Sequence, residues 1–268
     1  MSDRIDTDRV QAALVAPVGG PVVWASAVGS TNDLIAMRAR EGASEGLVIG
    51  ADVQTRGRGR RGRAWEATAG DALLFSVLLR PSRVAGDVGL LPIAAAVGVA
   101  EGLAELGVAV GLVWPNDLIV DGKKLGGILC ELSSTGQALA WAVVGVGINV
   151  RASPSLVAGR WEPTNLADVL GTPPAREVVL TAVLRGLGTW CARWYEKGDA
   201  PVLRAFAGRD LLAGRNVQVA VGESTLGGVA IGLDRAGALQ VRTASGAVVA
   251  VSSGEVTGVD AIPPAPSG

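Results

Sequence analysis

The sequence predicts an α/β fold of the α+β kind, a mixed β-sheet flanked by helices and followed by a small C-terminal β-barrel. Three observations predict it. Up to about residue 208, apolar runs of strand length alternate with segments whose apolar residues recur at helical spacing. From Leu212 to Val259 the chain changes to short alternating runs, VQVAV, GGVAIGL, ALQVRT and VVAVS, broken by GES, DRAG and ASG turns. At 268 residues the chain can bury one large core with a smaller appendage. The domain boundaries follow: 1–20 a short flexible lead, 21–210 the larger domain, 211–260 the small β domain and 261–268 a disordered, proline-containing tail.

Each element has its own signal. PVVWASAV (Pro21 to Val28) reads as a strand, and GSTNDLIAMRAREG after it as a helix, with Ser30 or Thr31 at the N-cap and Gly42 as the stop. GLVIGADV (Gly46 to Val53) and DALLFSVLLR (Asp71 to Arg80) are strands. Val88 to Leu106 is an alanine-rich core helix with Pro92 near its start. In GLVWPNDLIVDGKKLGGILCEL, two apolar runs meet at Asp121-Gly122, the dipeptide a tight hairpin prefers. That hairpin sets Asn116 and Asp117 at one end and Lys124 on the return strand, with Lys123 facing solvent. Ser133 to Gln137 is a polar turn, and Ala138 to Val150 a strand whose glycines allow close backbone approach. From Arg176 to Lys197, Val179, Val183, Leu187, Trp190 and Trp194 trace the buried face of a helix. The C-terminal β domain carries no evident chemistry.

Composition narrows the function. Lys and Arg number 24 against 25 Asp and Glu, so any basic cluster is local, and a protein that grips nucleic acid by charge is basic overall. The chain has no histidine, and its two cysteines, Cys130 and Cys191, lie in apolar surroundings without a CxxC pair. Zinc sites and histidine-based triads are thereby disfavoured, and the cysteines read as buried, reduced thiols. The charged N-terminus has no apolar signal core, and no apolar run reaches membrane-spanning length, which implies a soluble, cytoplasmic protein.

The chemistry gathers at QTRGRGRRGRAW (Gln54 to Trp65), with Arg56, Arg58, Arg60, Arg61 and Arg63 in eight positions. Glycine lets backbone approach a ligand, and guanidinium forks pair with carboxylates and phosphates. Such a loop suits an anion. A solvated basic loop, or a tether for single-stranded nucleic acid, shares the composition, but here the segment is pinned between two strands.

Six segments in order, GSTN (Gly29 to Asn32), GRGRRGR (Gly57 to Arg63) with Trp65, WPND (Trp114 to Asp117), KLGGIL (Lys124 to Leu129), GVGIN (Gly145 to Asn149) and SGEV (Ser253 to Val256), resemble the bacterial biotin protein ligases, which share the class II synthetase-like catalytic fold. The resemblance implies activation of biotin by ATP to biotinyl-5′-adenylate, then transfer to a lysine of a biotin carboxyl carrier domain, with magnesium on the phosphates. It implies catalytic roles for Lys124, Arg58 and Asp117. Biotin contacts would come from Ser30, Thr31, Asn32, Gln54, Arg58, Gly59, Arg60, Lys124 and Gly127, with Ser30, Thr31 and Gln54 on the neutral head group. ATP and adenylate contacts would come from Arg60, Arg63, Trp65, Asn116 and Asn149. Metal ligands are not implied.

Two residues keep double readings. Asp117 either orients the acceptor lysine and takes its proton or caps a turn, and Trp65 either packs on adenine or folds the loop down. A glycine-rich loop also suggests a lid that orders over the adenylate. Only about 20 residues precede the first strand, too few for the winged helix that binds DNA in many relatives, so no DNA partner is expected and the protein is expected as a monomer or weak homodimer. Arg56 stands where a small residue is common. Competing readings are a lipoate or octanoate ligase or transferase of the same fold and, more remotely, a nucleic-acid-binding module, which gives Lys124 no role.

Overall fold

The computed structural model describes residues 4–81, 89–136, 138–154 and 161–260. Strands β1 (Val22–Val28), β2 (Val48–Gln54), β3 (Ala72–Leu79), β4 (Gly111–Val113), β5 (Asp117–Val120), β6 (Lys123–Thr135) and β7 (Ala138–Asn149) form one sheet in the order β1-β2-β3-β7-β6-β5-β4. β1 and β2 run parallel, and the other neighbours pair antiparallel. The helices are α1 (Thr7–Ala12), α2 (Thr31–Arg40), α3 (Leu91–Ala104), α4 (Leu166–Leu170), α5 (Arg176–Lys197) and α6 (Asp199–Ala207).

The two faces of this sheet are covered differently, and that difference makes the site. Leu73, Phe75, Val77 and Leu79 of β3 point into the main core with α3 and α5. On the other face Leu78 joins Ile49, Trp141 and Val143 in a smaller cluster with Ile35 and Ala39 of α2. Helix α2 therefore covers only part of the second face, and the rest is left for a ligand. Beneath the sheet α3 and α5 meet backbone to backbone. A Cβ on Gly186 would lie 2.2 Å from Gly98 O, and one on Gly102 2.3 Å from Ala182 O. Trp190 and Trp194 are buried on the same helix, as its spacing predicts.

Local chemistry explains the boundaries. Asp121 (φ 48°) and Gly122 (φ 74°) both take positive φ, the requirement of a two-residue type I′ turn between β5 and β6. Gly42 (φ 88°) follows α2. Ser30 is the N-cap of α2 by position, but its side chain makes no capping bond. Gln54 does that work from β2: its Oε1 accepts from Thr31 N at 2.7 Å and from Thr31 Oγ1 at 3.1 Å. A cap supplied from 23 residues away leaves no trace in the local pattern. The N-terminal lead read as flexible contains α1, capped by Asp6, with Ile5, Val10 and Val18 buried. Its charged residues hide three apolar anchors too far apart to read as a helix. β6 runs through Thr135, so the polar turn is shorter than expected, and Gln137 lies outside the described residues. The core helix is Leu91–Ala104; residues 82–88 and the tail 261–268 also lie outside. Helices α4 and α6 carry no strong sequence signal and were not expected.

The C-terminal sheet has β8 (Asn216–Val221), β9 (Ser224–Leu233), β10 (Leu239–Arg242), β11 (Val248–Val251) and β12 (Glu255–Val259) in the order β11-β10-β9-β8-β12. Its two edge strands are separated by only residues 252–254, so the sheet rolls towards closure, though no ladder joins β11 to β12 among the described residues. It docks on the larger domain where Trp114 Nε1 donates to Gly237 O at 3.1 Å. No helix among the described residues is long and apolar enough to cross a membrane. Cys191 is buried, as expected, and its thiol pKa is raised by burial; Cys130 is only partly buried, a departure from the buried thiol expected, and desolvation pushes its thiol up to about 12.

Gly186→Ala should therefore lower the unfolding free energy by about 1–3 kcal/mol, because backbone lies in the path of the new Cβ. Gly208→Ala, whose Cβ would meet nothing nearer than 3.7 Å, should stay within about 0.5 kcal/mol, both read by denaturant unfolding.

Asp210 gives a pH test. Burial raises its pKa to about 6, only partly offset by backbone N–H bonds from Leu212 and Ala213, and its Oδ2 is buried without a partner. The folded state then holds a proton between about pH 4 and 6 that the unfolded chain releases, so stability falls as pH rises through that window. Relative to Asp210→Asn, the wild type should lose up to about 3 kcal/mol across it.

Candidate active site

A cavity of about 170 Å³ opens on the uncovered part of the sheet, between the arginine segment, the β5–β6 hairpin and the C-terminal domain. Every residue the sequence analysis assigns to the site lines it, from Ser30 to Asn149, and Arg61 lines it as well. Its floor is glycine. Gly147 pairs across the sheet with Leu74 and Gly127, and Gly145 with Ser76 and Leu129, so these residues share a face. Side chains from above lie directly on that floor: a Cβ on Gly147 would fall 2.6 Å from Trp65 Cε2, and one on Gly145 2.2 Å from Asn32 Oδ1.

One end of the cavity is polar and neutral. Buried Ser76, in the middle of β3, has its Oγ 2.7 Å from Thr31 Oγ1 and 2.6 Å from Asn32 Oδ1. Asn32 Nδ2 donates to Glu131 Oε2 at 2.7 Å. Thr31 donates both its backbone N–H and its hydroxyl to Gln54 Oε1, which leaves the Gln54 amide N–H groups as donors; Ser30 Oγ has no partner among the described residues. Sequence reasoning missed Ser76, because one serine in an apolar strand looks like tolerated noise.

Next to it the cavity is cationic, and its charges are unequally offset. Arg58 forms a fork on Asp33, 2.6 and 3.0 Å, and lies 3.5 Å from Glu131. The bond to Arg58 holds the Asp33 carboxyl below its ordinary range and, reciprocally, raises the Arg58 pKa. Arg63 pairs with Glu255 at 2.7 Å, Arg61 with the same carboxylate at 3.5 Å, and Arg61 also donates to Ala220 O. Arg60 differs. It donates to Gly254 O at 3.2 Å and has no carboxylate partner among the described residues, while burial lowers its pKa. Of the pocket's arginines, Arg60 carries the least neutralised charge.

Opposite stands Lys124, its Nζ 2.5 Å from Asp117 Oδ1. The strand is braced there by Lys124 N to Glu162 O and Thr164 N to Lys124 O. Lys123 is exposed, within 3.8 Å of Glu162. Asn116 donates one amide N–H to Ile128 O at 2.9 Å, holding the hairpin end, and this leaves its second N–H and its Oδ1 for the cavity. Asn149 Nδ2 donates to Thr164 O at 2.9 Å, and its buried Oδ1 has no partner. Trp65 Nε1 is likewise buried and unpartnered. Arg56 does not line the cavity; it lies against Gly29.

The C-terminal domain is not chemically silent. Gly254, Glu255 and Val256 line the cavity, and Glu255 holds two of the loop's arginines. SGEV is visible in the sequence, but a lone glutamate 192 residues from its partner gives no signal of that role. Asp33 and Glu131 escaped notice for the same reason. Chemically, the cavity offers a neutral hydrogen-bonding end, a cationic middle on a glycine floor, and an aromatic side chain beside an unpartnered amide oxygen.

Comparison with known proteins finds relatives that match both domains. Residues 18–149 match the model of the biotin/lipoate A/B protein ligase family, and residues 213–257 that of the biotin protein ligase C-terminal domain. A biotin–[acetyl-CoA-carboxylase] ligase of Mycobacterium tuberculosis is 37% identical over 237 residues, covering 85% of each chain. One from Paracoccus denitrificans is 30% identical over 220 residues, 79% of this chain and 90% of that one. The structure of the Aquifex aeolicus biotin protein ligase in complex with biotin and ATP superposes with a TM-score of 0.73 at 28% identity, over 89% of this chain and 98% of that one.

Proposed function

This chain belongs to the biotin protein ligase family, and from that premise we propose how its cavity works. The protein is an ATP-dependent biotin ligase. In the first step the biotin carboxylate attacks the α-phosphorus of ATP, forming biotinyl-5′-adenylate and releasing pyrophosphate. In the second, a lysine amine of a biotin carboxyl carrier domain attacks the acyl carbon and AMP leaves.

The observation that carries this reading is the convergence of Arg60 and Lys124 on one glycine floor, between a neutral polar end and Trp65. Carboxylate and triphosphate are both anions, so attack needs cations that offset their repulsion as charge builds at the α-phosphate. Arg60 enters with its charge least satisfied, and Lys124 needs only to turn from Asp117 to meet an oxyanion. Arg58 and Arg63 support from the rim, each already on a carboxylate. Biotin's uncharged ureido ring suits the other end, where Ser30, Thr31, Asn32 and Gln54 offer donors and acceptors, while Gly59 in the loop and Gly127 next to Lys124 let the rest of the ligand approach the backbone. The unpartnered Asn149 Oδ1 suits the amino group of adenine, with Trp65 and Asn116 beside it.

Asp117, released when Lys124 moves to the substrate, becomes available to orient the acceptor lysine and take its proton. Magnesium would offset phosphate charge. Among the described residues no three acidic, cysteine or histidine side chains cluster to hold a metal, which fits an ion carried by the phosphates. Glu66 is the one pocket carboxylate without an ion pair there.

Pyrophosphate exchange into ATP reports adenylation without the carrier. Biotin should support it, and lipoate and octanoate should not; exchange with lipoate or octanoate alone would move the assignment to a sister activity of the same fold. Lys124→Ala should slow biotin-dependent exchange by about 10²–10³-fold with an unchanged melting transition. A rate near wild type would remove Lys124 from the mechanism.

A further inference from the structure

We infer that Ser76 is a positioning residue which, through a chain of hydrogen bonds anchored on Glu131, makes Thr31 an acceptor at the neutral end of the cavity. Ser76 is 0% exposed, in a strand otherwise built of alanine, leucine, phenylalanine and valine. A hydroxyl buried there costs stability unless it is bonded. Its neighbour across the ladder is Gly145, and a Cβ on Gly145 would fall 2.2 Å from Asn32 Oδ1. Glycine at that position lets Asn32 reach down to the strand, where its Oδ1 lies 2.6 Å from Ser76 Oγ.

The protons of this chain have one consistent direction. Asn32 Nδ2 faces two acceptors, Glu131 Oε2 at 2.7 Å and Leu129 O at 3.4 Å. The amide cannot turn over without setting its oxygen against both. Asn32 Oδ1 is thereby held towards Ser76, and because an amide oxygen has no proton to give, the Ser76 hydroxyl supplies the one between them. Ser76 then has no second proton for Thr31 Oγ1, 2.7 Å away, so that contact takes the Thr31 hydroxyl as donor. Thr31 has a further internal acceptor in Gln54 Oε1 at 3.1 Å, an oxygen that already takes the Thr31 backbone N–H at 2.7 Å. With its proton on either of these, Thr31 Oγ1 turns a lone pair to the cavity.

Gln54 completes the pattern. Its oxygen is engaged by Thr31, so its N–H groups are left to donate, and an acceptor stands beside a donor. That pair is the complement of the N–H and C=O of a cyclic urea. A ring with oxygen in place of the N–H would set two acceptors face to face. Without the Ser76 hydroxyl, the Thr31 proton loses its nearer internal acceptor and can turn to the cavity, which relaxes the distinction. Ser76 itself does not line the cavity; it acts only through Thr31, in a direction that Asn32 and Glu131 set.

This inference deepens the ligase reading and rests on it for the identity of the urea. Its test is titration calorimetry on the whole protein with biotin and its two cyclic carbamate analogues, each with one ureido N–H replaced by a ring oxygen. The wild type should bind at least one carbamate about 10²-fold more weakly than biotin. Ser76→Ala should weaken biotin about 10-fold and narrow that ratio to about 10-fold or less. Ser76→Cys, which keeps the shape and a weak donor, should fall between. In pyrophosphate exchange Ser76→Ala should raise the KM for biotin about 10-fold with kcat changed less than about 2-fold. Lost packing alone would weaken all three ligands alike. An unchanged ratio in Ser76→Ala, or in Ser76→Cys should the alanine variant not fold, would therefore overturn the role of Ser76, as would a wild type that binds both carbamates as tightly as biotin. A wild type that neither binds biotin nor supports exchange would overturn the ligase reading, and this inference with it.

Discussion

Five guanidinium groups within eight residues repel one another, and the site depends on where their counter-charges come from. They are not local. Asp33 comes from the helix before the loop, Glu131 from the sheet and Glu255 from the last strand of the second domain. Each carboxylate fixes one stretch of the loop; of the two arginines left without one among the described residues, Arg56 stays outside the cavity and Arg60 is half-buried in it. Electrostatic satisfaction at the rim is what allows an unsatisfied charge at the centre.

A second constraint lies beneath. Gly127, Gly145 and Gly147 form neighbouring positions on one sheet face, and the absence of side chains there creates the volume that Trp65, Asn32 and the ligand share. On the opposite face the same sheet is packed with leucine, valine and phenylalanine against α3 and α5. The strands are thus rigid because of one face and receptive because of the other. Reactive groups on Lys124 and Asp117 inherit that rigidity through a hairpin whose type I′ turn and a register shift between Leu118 and Ile119 together set their relative positions.

Much of this was legible in the sequence because its signals are local. Apolar periodicity located α5 to its ends, Asp121-Gly122 located the hairpin, and the arginine-glycine run located the loop. The resemblance to the ligases then brought to one place residues that lie together in the cavity. What escaped is non-local. Gln54 caps a helix from a different strand, Ser76 orders Thr31 and Asn32 from the floor itself, and Glu255 acts across a domain boundary. Isolated polar residues of this kind have no period and no motif, so only the folded chain assigns them partners. The helix in the N-terminal lead escaped for a related reason, since its stability comes from burying Val10 against the rest of the protein rather than from its own six residues.

The attachment of Arg61 and Arg63 to Glu255 makes the two domains inseparable as hereditary units. A chimera that joins this larger domain to a foreign C-terminal domain would cut an apolar cluster that the two domains share and would also fail to complete the cavity wall, unless the graft brings a carboxylate to the position of Glu255 and a backbone carbonyl to that of Gly254. The seam between the domains runs through the binding pocket, so recombination among relatives is limited by charge complementarity at a few atoms as well as by the apolar contact.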